Sequence, residues 1–281
     1  MKKEYMHQPA EIFGFPPSNK TNLAKIHRKQ YLCPFIERKC TKQTRLLNYP
    51  LGICSAWHKG APRIICPQRF YYDGYQLLKF ISKDFLGDNF SLVSEVKLDR
   101  FGNVDWVSFV VSEKGDIDFI GIEIMADSTT QTGKLVEALQ DFMESNRLKD
   151  TYNYGMNTYN TIKLSFTQML NKGQVFEHWG KYYIWIAQKE LFQILMNKFG
   201  LKMDKGVKNG KIIFASTSMK FDNNKDIFSL CFEEYYSASV QKLLQAYKRE
   251  YVPKMSEFVE AILRKAGLKD TKTRKLTDFT Q

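Results

Sequence analysis

FSLVSEVKL at 90–98, NVDWVSFVV at 103–111 and IDFIGIEIM at 117–125 are separated only by Asp99-Arg100-Phe101-Gly102 and Ser112-Glu113-Lys114-Gly115. Runs dense in β-branched and aromatic residues, joined by short turn-forming links, predict an antiparallel meander. Working outwards, YQLLKFISKDFL at 75–86 and GKLVEALQDFMESNR at 133–147 read as flanking helices, the second carrying Leu135, Leu139 and Phe142 on one stripe. The pattern further predicts a helix over 158–171, a buried strand over 181–187, a helix over 188–199, a strand pair near 211–217 and 226–233, and helices around 237–248 and 254–266. The expected fold class is α/β, an α+β arrangement on a mixed sheet. There is no internal repeat, and the basic, polar tail is expected to fray.

The meander carries the first chemistry. Side chains alternate along a strand, so Glu123 shares a face with Phe119, Gly121 and Met125, while Ile120, Ile122 and Ile124 fill the other. A lone carboxylate in so apolar a strand is costly unless it is paired or bound to metal. Asp105 stands near the start of the second strand and can meet Glu123 across the sheet, making an oxygen site for Mg²⁺. Glu95, on the first strand, can join as a third acid. The plainer reading makes Glu123 a water-facing acid on an edge strand and Asp105 a turn residue.

Composition narrows the partner. The chain has 281 residues, 43% of them hydrophobic, with a net charge of +12 and a pI near 9.3. That length allows one large domain or two smaller ones with a real core, and no apolar run is long enough to span a membrane. The basic balance points to a polyanion, with nucleic acid first, because basic residues displace the counterions condensed on phosphates. Met1-Lys2-Lys3-Glu4 leads into polar sequence without a secretory signal, so a cytoplasmic location is expected.

Four of the five cysteines, Cys33, Cys40, Cys54 and Cys66, lie among turn formers in residues 31–70, a stretch without sustained periodicity. In a reducing compartment such a cluster more often binds metal than forms disulfides, and four thiolates can hold one tetrahedral ion, iron or zinc. No Cys-x-x-Cys pair is present, which disfavours a redox role. Cys231 lies in an apolar run and reads as a buried hydrophobe. Around the first two cysteines stand Lys20, Lys25, Arg28, Lys29, Arg38, Lys39, Lys42 and Arg45, a candidate phosphate-tracking surface in which Lys39, Lys42 and Arg45 are the expected DNA contacts. Residues 1–74 thus read as a metal-binding, DNA-contacting module and residues 75–281 as a second domain.

Cys33-Pro34-Phe35, Cys40, Gly52-Ile53-Cys54 and Ile65-Cys66-Pro67-Gln68-Arg69 together resemble the N-terminal module of the NotI family of type II restriction endonucleases, and Glu11-Ile12-Phe13-Gly14 is similar to the family's opening. The likeness continues through Val104-Asp105-Trp106, Gly121-Ile122-Glu123-Ile124 and the stretch from Asn160 to Met169. The order helix, meander, helix, strand resembles the PD-(D/E)xK nucleases.

The resemblance implies a PD-(D/E)xK restriction-endonuclease-like core beside a four-cysteine module, which holds iron in the family's type member. It also implies Mg²⁺-dependent cleavage of double-stranded DNA at a palindromic site by a homodimer, with a cognate DNA methyltransferase as genetic partner. Carried over by position, Asp105 and Glu123 become metal ligands, Glu95 an accessory acid, and Ile124 a ligand through its backbone carbonyl. Met125 stands where these enzymes usually carry Lys, and where the type member has Gln. A thioether neither deprotonates water nor binds Mg²⁺ well. A Lys-like role is therefore absent or comes from Asp127, Gln131, Lys134 or Lys163. Lys163 and Gln168 are further candidates to line the site or the phosphate path. Two rivals remain in view: a non-enzymatic four-cysteine DNA-binding protein, and a repair nuclease on the same core.

Overall fold

The structure is a computed structural model and describes residues 7–208, 210–247 and 254–266. The first four residues and the basic tail lie outside the described residues. Chain contacts divide the protein into a compact unit over Met1–Ala246 and a second over Tyr247–Gln281.

The first unit opens with β1 (Pro9–Ile12), α1 (Asn22–Gln30), the two-residue strands β2 (Leu32–Cys33) and β3 (Arg38–Lys39), and the hairpin β4 (Ile53–His58) and β5 (Ala61–Ile64). A 3₁₀ turn over Pro67–Tyr71 leads into α2 (Tyr72–Leu86) and the expected meander, β6 (Ser91–Leu98), β7 (Gly102–Val111) and β8 (Ile117–Met125). Next come β9 (Thr129–Thr130), α3 (Thr132–Ser145), β10 (Gly155–Met156), α4 (Thr158–His178), β11 (Tyr183–Gln188) and α5 (Lys189–Phe199). The unit closes with β12 (Asp204–Lys205), the long hairpin β13 (Ile212–Asp222) and β14 (Ile227–Ala238), and α6 (Val240–Tyr247). In the second unit, α7 (Met255–Lys265) exposes Met255, Phe258 and Ile262.

The expected mixed sheet is present, with seven strands in the order β12-β14-β13-β11-β8-β7-β6. β11 runs parallel to both β8 and β13, and the other pairs are antiparallel. Both faces of the centre are covered, so β11 is buried at every residue. Tyr183, Trp185 and Met125 point to one face, under Phe176 of α4 and Phe192 of α5. Ile120, Ile122, Ile184 and Ile186 point to the other, against Leu78 and Ile81 of α2. A third core joins the cysteine segment to Leu135, Leu139 and Phe142 of α3, the stripe read from the sequence.

The approach of α4 to the sheet depends on Gly121, where a Cβ would stand 2.4 Å from the Phe176 ring. At its own Gly173 a Cβ would stand 2.6 Å from Ile212. That approach lays α4 over β11 and β13, from where Lys172 and Phe176 reach Glu123 and Gly121 of β8.

Among the features that differ from expectation are α1, β1 and Cys231. α1 and β1 arise in a stretch that reads as polar and Pro-broken. α1 has little apolar face of its own and is anchored by Arg28, which donates to Pro16 O at 2.6 Å and Asn19 O at 2.8 Å. β1 exists through backbone pairing with β4. Cys231, expected to be buried, is partly exposed on β14. Among the described residues no helix is long and apolar enough to cross a membrane.

Candidate active site

β7 and β8 pair from Val111↔Ile117 to Trp106↔Ile122, after which β8 continues against β11 through Glu123↔Trp185 and Met125↔Ala187. Asp105 is the β7 residue just past that pairing. Its Oδ2 accepts the Ile124 N–H at 2.9 Å, taking the place of a backbone acceptor. Because the N–H and C=O of one strand residue point to the same edge, the Ile124 carbonyl faces the same opening.

Glu123 is buried beside it. Its Oε1 accepts from Lys172 Nζ of α4 at 2.5 Å and from the Tyr183 hydroxyl at 3.0 Å. Lys172 also donates to the Asn103 carbonyl. Glu95 lies between the pairs Ser94↔Trp106 and Val96↔Val104, opposite Asp105, with Asn103 Nδ2 donating to its Oε2 at 3.2 Å. The three acids named from the sequence therefore gather at one edge, though Glu95 is exposed.

The two inner carboxyls act on each other. Burial raises Asp105, against hydrogen bonds from Ile124 N–H and Glu123 and the charge of Lys172. Burial, and then the charge of Asp105, push Glu123 up to about 7, against the pull of Lys172 and Tyr183. A carboxyl raised on folding favours the folded state while it is protonated. Its contribution is thus complete below the ordinary value of 4.5 and is lost as pH rises to about 7. Burial depresses His58 to about 4, which gives the opposite slope between 4 and 6.5 and makes a control necessary. In metal-free protein, the thermal midpoint of wild type should fall relative to that of Glu123→Gln between pH 5 and pH 7.5 (about the window these values set); equal slopes in the two proteins would refute it.

The remaining sequence candidates separate. Met125 is core: its Sδ accepts the Ser165 hydroxyl at 3.0 Å, and it packs among Ile162, Met169 and Leu191. Lys163 and Gln168 are exposed, on the side of α4 turned away from the buried Ser165 and Met169, and so are not brought to the acids. Asp127 is held by Arg63 at 2.7 Å and by the Thr158 hydroxyl at 2.8 Å. Lys134 pairs with Glu137, and Gln131 sits in the left-handed region ahead of α3.

The residues that sequence reasoning missed are Lys172 and Tyr183. The signal was available: Lys172 lies on the buried stripe Thr161, Ser165, Met169, Phe176. The pattern that predicts helix only to 171 stops one residue short of it.

The four motif cysteines are all buried. Cys33 Sγ accepts backbone N–H bonds from Phe35 and Ile36, and Cys66 Sγ from Gln68 and Arg69, the same two-and-three-residue spacing in two Cys-Pro loops. Burial pushes the Cys33 thiol up to about 11 and the Cys54 thiol well above its ordinary value, with the other cysteines adding to both. The thiols therefore sense one another, although among the described residues no three His, Cys, Asp or Glu stand close enough to hold a metal ion as placed. The donor types suit such an ion: all four cysteines are buried and near enough for their charges to act on one another, and Cys33 and Cys66 already receive N–H donors that favour thiolate.

The loops are tied in by the other motif pieces. Gly52, at φ +60°, lies so close beneath Phe13 that a Cβ would stand 2.4 Å from its ring. Arg69 Nε donates to both Glu11 oxygens at 2.9 Å. Lys42 donates to Ile65 O at 2.6 Å beside Cys66, bracing this loop, whereas Lys39 and Arg45 are exposed.

A search of curated proteins finds no match. The family model described as Restriction endonuclease NotI matches residues 19–230, a span that includes the four motif cysteines, Glu95, Asp105, Glu123 and Lys172. As that match covers well over half of the sequence, the chain belongs to the NotI restriction endonuclease family.

Proposed function

We propose that this protein is a type II restriction endonuclease that hydrolyses phosphodiester bonds of duplex DNA at a specific palindromic site, in a Mg²⁺-dependent reaction, as a homodimer on a PD-(D/E)xK core. The observation that carries the reading is the meeting of Asp105 and Glu123 at the open β7–β8 edge, beside the Ile124 carbonyl, in a chain of a restriction endonuclease family. Asp105, Glu123 and the Ile124 carbonyl would hold the ion, with Glu95 as accessory acid at the same edge. A bound divalent cation lowers the pKa of its water and offsets charge on the phosphate. Asp105 fixes the Ile124 backbone, and Tyr183 and Lys172 fix the Glu123 carboxylate, so the oxygen donors are oriented before DNA arrives.

Cys33, Cys40, Cys54 and Cys66 would hold iron or zinc. With all four positions filled by sulfur the ion is structural, shaping the loops that carry Lys39 and Arg45 toward the phosphates. Cys40→Ser should lose this metal and weaken DNA binding together, by about tenfold or more, on the scale of losing a few phosphate contacts. Metal content and fluorescence anisotropy measure the two, and retention of both sinks the assignment. A DNA methyltransferase protecting the same sequence is the expected genetic partner.

The test of the whole reading is plasmid digestion with Mg²⁺ and with EDTA, followed by sequencing of the ends. Discrete ends sharing one palindrome, only with Mg²⁺, support it. Random nicking would favour a repair nuclease, and binding without cutting would favour the non-enzymatic rival.

A further inference from the structure

Lys172 has no role in the reading above beyond holding Glu123. A buried ion pair is weak grounds for stability, because desolvating two charges offsets most of their attraction. Such a pair is better explained where its charges meet a ligand. Here the ammonium lies among reacting groups. It is 2.5 Å from Glu123 Oε1, its charge acts on Asp105, and the Asn103 carbonyl at the mouth of β7 takes a second N–H. An ammonium has three donors, so one N–H remains. Lys172 and Glu123 are themselves buried, and the cluster meets solvent through the half-buried Asp105 and the exposed Glu95.

The strand position two residues after Glu123 is filled by Met125, which is committed to the core under Ser165. Gly121 and Gly173 let α4 settle close on the sheet and bring Lys172 within reach of the Glu123 carboxylate.

We propose that Lys172, supplied by α4, is the catalytic lysine of this site and directs its free N–H to a non-bridging oxygen of the scissile phosphate. The inference rests on the nuclease reading above. In the step, the oxygen of water bonds to phosphorus and the P–O3′ bond breaks, its electron pair leaving with O3′. The proton of water passes to solvent and O3′ takes one from solvent. Lys172 stays protonated throughout and stabilises the charge that gathers on the phosphoryl oxygens.

The test compares wild type, Lys172→Met and Lys172→Gln in three measurements: cleavage rate at saturating Mg²⁺, affinity for a duplex of the cleaved sequence with Ca²⁺ replacing Mg²⁺, and thermal midpoint. Lys172→Gln keeps a donor against Glu123 and carries the test if Lys172→Met fails to fold. Cleavage should drop by about 10²-fold or more, with DNA affinity held within about threefold, the scale of losing one preorganised charge-stabilising donor. A Lys172→Gln protein that cuts within about threefold of wild type, with only a lower midpoint, makes Lys172 a counter-ion and overturns the proposal. A fall in DNA affinity that matches the fall in rate overturns it too. If wild type cuts no DNA, the nuclease reading fails. If wild type cuts, Glu123→Gln does not and Lys172→Gln does, only the role of Lys172 fails.

Discussion

Glu123→Gln is expected to abolish cleavage, a loss of at least about 10²–10³-fold, while duplex DNA still binds. The glutamine keeps the shape of the side chain, so Tyr183 and Lys172 retain a partner oxygen where Glu123 Oε1 now stands. What disappears is the negative charge beside Asp105 and the Ile124 carbonyl, which is the charge a divalent cation needs. Alanine is the poorer variant, because it leaves the buried Lys172 without its counter-ion and mixes a folding defect into the rate. Plasmid cleavage in Mg²⁺ measures the loss, and anisotropy in Ca²⁺ measures binding. Cutting at the wild-type rate would remove Glu123 from the site.

Arg69→Met should destabilise the protein by about 3–5 kcal/mol, read as a shift in the urea midpoint. Arg69 and Glu11 are both fully buried, each with 0% side-chain exposure. Besides Glu11, the guanidinium donates to Phe228 O at 2.6 Å and lies over the rings of Phe35 and Tyr72, 4.8 and 4.9 Å from their centroids. One side chain therefore ties β1, the first cysteine loop, the start of α2 and the β13–β14 hairpin together. Its loss strands the Glu11 carboxylate, whose remaining side-chain partner is Ser55 at 2.7 Å. Burial already pushes the Glu11 carboxyl up, so the stranded acid should take up a proton. Adding Glu11→Gln should recover part of the loss, and a single variant as stable as wild type would refute the account.

The local patterns were legible where one face or both were apolar over a full element. β8 runs over the residues that the alternation of Ile120, Ile122 and Ile124 marks out, and α3 buries the Leu135, Leu139, Phe142 stripe. Reading weakened where stability comes from remote partners. α1 depends on Arg28 reaching back to Pro16 and Asn19, and no periodicity encodes that. α4 reads from the sequence as ending at 171, just before Lys172-Gly173. In the structure those two residues lie on the buried face, one against Glu123 and the other against Ile212.

The sequence by itself determined the acids and the cysteines. Asp105 and Glu123 stand out because a carboxylate in an apolar strand needs a reason, and the four cysteines because their spacing among Cys-Pro turns is a family mark. Only the tertiary structure decided what surrounds them: that Met125 belongs to the core, that Lys42 braces a loop, and that Lys172 meets Glu123 across 49 residues of chain. The physical reason is range. Alternation along a strand is local and can be read from neighbours. The charge that balances a buried carboxylate is delivered by whichever helix packs over it, and here that packing turns on the space left at Gly121 and Gly173.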